Sequence, residues 1–141
     1  MANDAEARDG GDRYGTGMRV RRSVLGDAHV DRSERAADDF TRDFQRFITE
    51  TAWGSVWSRP GLDTKTRSMV TIAVLAALGR YDELRLHVRA TKNTGVSQAE
   101  VAELLMHVAV YAGIPAANSG FHHAREAYAE LAAVTEEETQ P

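Results

Sequence analysis

Within Tyr81-Asp82-Glu83-Leu84-Arg85-Leu86-His87-Val88-Arg89-Ala90-Thr91-Lys92, a carboxylate and an imidazole, Glu83 and His87, stand four residues apart. On a helix that spacing lets the two side chains meet. At about 100° per residue, Asp82, Arg85, Arg89 and Lys92 share one arc, which is expected to face water. Glu83 and His87 fall in the other arc, with Leu84, Leu86, Val88, Ala90 and Thr91, and burial is expected there. An unpaired charge in a core is expensive, whereas a Glu–His pair satisfies itself and leaves one ring nitrogen for another task. Burial favours the neutral form of each group and mutual attraction the charged form. Such a pair could therefore exchange a proton near neutrality and do general acid–base chemistry. A structural pair with no catalytic duty fits the same pattern, and the residues alone leave both readings open. The chemical reading requires the two groups to point together into a dry cavity that admits a small anion.

Other candidates are weaker. Arg67 stands in the first turns of the helix that follows Asp63, where the helix dipole disfavours a cation. A bound carboxylate would explain a guanidinium there, and an i, i+4 pair with Asp63 would explain it equally. Arg59 precedes the Pro60-Gly61 turn and is a lesser candidate of the same kind. Trp53 and Trp57 could line a pocket, although an i, i+4 aromatic pair also suits a core. Glu103 and His107 repeat the Glu-x-x-x-His spacing, which invites a two-metal reading. Di-iron bundles instead use Glu-x-x-His with further carboxylates, and those are missing, so no metal is expected. His122 and His123 diverge by about 100° on a helix. His122 shares a polar arc with Asn118 and Arg125, while His123 flanks the apolar stripe.

These residues need helices to hold them. Phe40, Phe44, Phe47 and Ile48 repeat at i, i+4, i+7 and i+8, which predicts an amphipathic helix over about 32–49. Asp63 is the expected cap of a helix to Leu78, with Gly79 beyond its end; its stretch Met69–Leu78 is apolar all round and predicts a central helix covered by neighbours. A third helix is expected over about 81–94, stopped by Gly95. Ser97 and Glu100 form a capping box for a fourth, and Pro115 opens a fifth with the stripe Ala117, Phe121, Ala124, Tyr128 and Leu131. Strand signals are poor, so the fold class is all-α. The glycine-rich, charged residues 1–17 read as a disordered tail, 18–133 as one domain and 134–141 as an acidic tail.

Composition removes whole classes of function. The chain of 141 residues has no cysteine, which excludes disulfides, thiolate nucleophiles and cysteine-ligated metal. A formal charge of −4 argues against a nucleic-acid partner. No apolar run is long enough for a membrane span, and no apolar leader core opens the chain, so a cytoplasmic protein is expected. Gly10, Gly11, Gly15 and Gly17 precede no strand-to-helix junction and read as tail glycines rather than a phosphate loop.

The segment 79–90 with Asn93-Thr94-Gly95-Val96 resembles the first signature of the carboxymuconolactone decarboxylase family. Residues 103–118, with Val110-Tyr111-Ala112-Gly113-Ile114-Pro115-Ala116-Ala117-Asn118, resemble its second. Arg19–Val30, Trp53-Gly54-Ser55-Val56-Trp57, Arg59-Pro60-Gly61-Leu62 and Arg67-Ser68 are similar to the decarboxylase subgroup within it. The resemblance covers about residues 14–131. It implies an alkylhydroperoxidase-D-like helical fold, a ring-shaped homo-oligomer of three or six subunits, and a place in the protocatechuate branch of the β-ketoadipate pathway. Peroxidase relatives carry Cys-x-x-Cys-x-x-x-His; with His87 as that histidine the sulfur positions fall on Arg80 and Glu83, so thiol chemistry is lost here.

The family's acid–base roles carry over to Glu83 and His87. The implied substrate is an unsaturated five-membered lactone bearing a carboxylate on its γ carbon and an acetate arm. Loss of CO2 sends electrons through the ring double bond to the lactone carbonyl. The substrate is its own electron sink, and no cofactor is implied. Arg67 is the first choice to hold the acetate arm, with Arg59, Trp53, His107 and Asn118 as further candidate substrate contacts. His87, oriented by Glu83, is the expected proton donor. A non-catalytic helical oligomer that binds a small organic acid is the alternative.

Overall fold

The computed structural model describes the backbone of residues 3–140 and the side chains of residues 12–140. Residues 1, 2 and 141 of the expected tails lie outside the described residues. Among these residues every regular element is helical, in agreement with the all-α class. The chain divides into two compact units, 1–63 and 64–141, where length and composition suggested one domain over 18–133.

In the first unit, α1 (Asn3–Leu25) leads to α2 (Asp27–Ala36) and α3 (Arg42–Ile48), which continues into a π-helical segment, Thr49–Trp57. The expected tail 1–17 is thus helical from Asn3 onward. Gly17 is buried at the crossing of α1 and the π-helix: a Cβ there would lie 2.1 Å from the Thr49 carbonyl oxygen. Gly54 answers it from the other side, where a Cβ would lie 2.4 Å from the Arg13 carbonyl oxygen. The two glycines let the backbones touch, so a residue that composition assigned to a tail is a packing contact. Near the crossing the buried Arg21 donates to Thr49 Oγ1 at 3.3 Å and to Gln45 Oε1 at 3.1 Å. Desolvation lowers the pKa of that guanidinium, while Glu34 opposes the shift.

The helix expected over 32–49 is broken. Asp38 Oδ1 accepts from the backbone N–H groups of Phe40 and Thr41, and Thr41 Oγ1 accepts from the Asp38 N–H at 3.1 Å. This reciprocal cap restarts the chain at α3 and holds the Asp38 carboxyl below its ordinary pKa, chiefly through Thr41. The apolar stripe is also not core: Phe40, Phe44 and Phe47 are all exposed.

The second unit holds α4 (Thr64–Leu78), α5 (Tyr81–Arg89), the short α6 (Thr91–Thr94), α7 (Gln98–Ala112) and α8 (Ile114–Thr139). Its core joins Ile72 and Ala76 of α4, Leu84 and Val88 of α5, Val101, Leu105 and Val108 of α7, and Ala124 and Ala127 of α8. The punctuation read from sequence holds at four ends, one of them Gly95, which takes φ +83 after α6. Gly79 takes φ +70, and the N–H groups of Gly79 and Arg80 return to the carbonyls of Ala76 and Leu75, closing a Schellman turn. Ser97 and Glu100 form the capping box, and Pro115 opens α8.

Three expectations change. The third helix breaks at Ala90, after which Thr91 turns its hydroxyl back to the Val88 carbonyl. α4 is not covered all round, because Val70, Val74 and Leu78 are exposed. The acidic end is helical to Thr139 and exposed rather than an irregular tail.

Candidate active site

α5 is fixed before its chemistry is considered. Leu84 and Val88 are fully buried and define its inward face. On one flank Arg85 Nη1 lies 3.5 Å from Glu126 Oε2, and Arg89 Nη1 donates to Glu130 Oε2 at 2.8 Å, so α5 is clamped along α8. Arg85 also pairs with Asp82. The arginines expected to face water therefore lie against α8, each only partly exposed.

The opposite flank carries Glu83 and His87. Glu83 is exposed and His87 half-buried, so the expectation that both lie in the buried arc is not met. The physical reason is angular. With Leu84 at the centre of the inward face, Glu83 lies about 100° away from it.

Glu83 lines a polar pocket of ≈ 490 Å³ with Arg80, Tyr81, Asp82, Arg85 and His123. This is an open hollow rather than a dry cavity, and His87 is not among its lining residues. The His123 ring forms one wall: it stacks on Tyr81 with centroids 4.4 Å apart, and its Nδ1 is 2.7 Å from Arg85 Nη1. A guanidinium can only donate, so in this contact Nδ1 is the acceptor. His123 was read only as a residue flanking an apolar stripe. Nothing local in the sequence marks it, because its partner Arg85 is 38 positions away.

The other candidates are dispersed. Arg67 lies half-buried on the first turns of α4, beside the fully buried Ser68, which accepts a hydrogen bond from Thr94 Oγ1 at 3.0 Å and so ties α4 to α6. His107 faces a different concavity, an apolar groove of ≈ 870 Å³ between α4 and α7, where its ring meets Tyr111 at 4.9 Å. Glu103 lies at the same groove. Asn118 is exposed on α8 and lines neither hollow. Trp53 and Arg59 belong to the first unit. Trp53 is buried against Trp57, with centroids 4.8 Å apart, and Arg59 is exposed after the π-helix. Among the described residues no three His, Asp or Glu side chains gather as a metal site would need.

A family model described as the carboxymuconolactone decarboxylase family matches residues 42–126. The chain is 56% identical over 119 residues to a 4-carboxymuconolactone decarboxylase of Acinetobacter baylyi, which covers 84% of this chain and 89% of that protein. It is 45% identical over 102 residues to a nitrosuccinic acid decarboxylase of Metarhizium robertsii, covering 72% and 71% respectively. A 4-carboxymuconolactone decarboxylase of Pseudomonas putida is 57% identical over 42 residues, 30% of this chain and 88% of that one.

Proposed function

The chain belongs to the carboxymuconolactone decarboxylase family, and from that premise we propose that it decarboxylates 4-carboxymuconolactone to 3-oxoadipate enol-lactone and CO2, within protocatechuate catabolism. The observation that carries this reading is the likeness to the Acinetobacter baylyi enzyme across most of both chains. The Metarhizium relative supports the same class of reaction. Nitrosuccinic acid, like the lactone, is a dicarboxylic acid with its own electron acceptor, a nitro group in place of a conjugated carbonyl.

In the proposed mechanism the bond from the γ carbon to CO2 breaks. Its electron pair forms a new ring double bond, the old one shifts toward the carbonyl, and charge collects on the carbonyl oxygen. A proton then returns to the α carbon, which restores the carbonyl and leaves the enol-lactone. The pairing of Glu83 with His87 lacks the shared dry cavity it requires, so the delivery is assigned to Glu83. Glu83 lines the polar pocket and His87 does not, so Glu83 is the group at substrate. Arg67, the first choice for the acetate arm, does not line this pocket. No cofactor takes part.

Self-association belongs to the same proposal. The exposed Val70, Val74 and Leu78 of α4, with Met106, Val110 and Tyr111 of α7, form the kind of apolar face that a homo-oligomer buries. No helix among the described residues is long and apolar enough to cross a membrane. A cytoplasmic enzyme acting on a small molecule is the setting proposed. Incubating the protein with the lactone and following the loss of its ultraviolet absorbance tests the reading. Turnover well above the buffer rate is expected; a rate equal to buffer would favour a non-catalytic acid-binding oligomer.

A further inference from the structure

We propose that Arg80 is a catalytic residue, whose guanidinium takes up the negative charge that decarboxylation places on the substrate's carbonyl oxygen. The inference rests on the decarboxylase reading above.

Two cations line the polar pocket, and they differ in what they already hold. Arg85 is occupied by Asp82, Glu126 and the His123 ring. Arg80, set just ahead of α5 at φ −92, ψ 77, is exposed; among the described residues it has no ion pair or hydrogen bond through its side chain. The pocket therefore offers one uncommitted guanidinium beside the uncommitted carboxyl group of Glu83.

The chemistry asks for that pairing. The carbon that receives the proton and the oxygen that carries the charge are both bonded to the same carbonyl carbon. The acid and the oxyanion holder must consequently stand next to each other, and Arg80 and Glu83 line one pocket three residues apart. A guanidinium on the departing carboxylate would instead stabilise the ground state and oppose CO2 loss. At the carbonyl oxygen its attraction grows as charge arrives, so it lowers the barrier. Atoms and charge balance: the substrate dianion gains one proton from Glu83 and loses CO2, leaving the monoanionic enol-lactone, and solvent reprotonates Glu83.

The test compares Arg80→Gln and Arg80→Lys with the wild type, each checked by its melting curve. Loss of one charge-stabilising donor lowers kcat by about 10²–10³-fold with little change in KM, and Lys restores part of it. A second readout uses the product: deprotonation of the enol-lactone at its α carbon regenerates the same dienolate. The wild type should therefore exchange those hydrogens in deuterium oxide, and Arg80→Gln should lose exchange as it loses turnover. A folded Arg80→Gln variant with near wild-type kcat, or with its loss confined to KM, overturns this role alone. A wild type inert toward the lactone overturns the decarboxylase reading and this inference with it.

Discussion

Alanine at Gly17 and at Gly15, two positions on one helix, should have opposite effects on stability. At Gly17 the new carbon would lie 2.1 Å from the Thr49 carbonyl oxygen, 2.9 Å from the Gly54 nitrogen and 3.0 Å from the Thr49 carbonyl carbon. All three are backbone atoms, so no rotamer change relieves the clash. α1 and the π-helix must part by about 1 Å, a gap that forfeits a quarter to a half of each dispersion contact across the crossing. Overpacking typically costs roughly 1–3 kcal/mol, and a wall of backbone that cannot yield puts this site at about 3 kcal/mol, against about 1 kcal/mol gained by replacing glycine in a helix. A net loss of about 2 kcal/mol follows. At Gly15 the nearest atom is the side-chain oxygen of the exposed Asp12, at 2.8 Å, which can swing away. That leaves the propensity gain, and Gly15→Ala should be neutral or stabilise by up to about 1 kcal/mol. Urea unfolding of the two variants beside the wild type measures both. A Gly17→Ala protein as stable as the wild type would refute the backbone contact; equal destabilisation by both would show that α1 dislikes alanine for some other reason.

Ser97→Ala removes one half of the α7 capping box and should lower stability by about 1 kcal/mol, read as a shifted urea midpoint without a changed slope. Glu100 is held below its ordinary pKa, first by Lys65 and then by the Ser97 backbone and hydroxyl. Its folded value is below its unfolded one, so its contribution is present above the unfolded pKa and is lost as pH falls through the folded one. Glu100→Gln should accordingly be less stable than the wild type at neutral pH, with the gap closing below the usual carboxylate range; a gap independent of pH would refute the ion-pair account.

What the sequence disclosed was mostly local. Gly79, Gly95, the Ser97–Glu100 box and Pro115 marked helix ends because each cap is satisfied within a few residues of itself. The break at Asp38 was equally local but was hidden by a phenylalanine period that ran through it. Other features were decided by partners distant in sequence. Gly17 resembled tail glycine until the π-helix lay against it. Arg85 and Arg89 belonged to a polar arc by period, yet Glu126 and Glu130 of α8 determine what that arc faces. The wheel placed Glu83 and His87 on one side of α5 but misjudged their depth, because burial depends on which neighbour reaches the first turn. Arg80, Tyr81 and His123 were not read as a site at all, since only the approach of α8 to α5 makes them walls of one hollow.

The sharpest test is the turnover number of Glu83→Gln on the lactone. A positioned acid–base group contributes about 10²–10⁴-fold, and the side chain is exposed, so the account predicts a loss of that order in a protein that still folds. Turnover within a few-fold of the wild type would remove Glu83 from the chemistry and, with it, the proton delivery on which the mechanism depends.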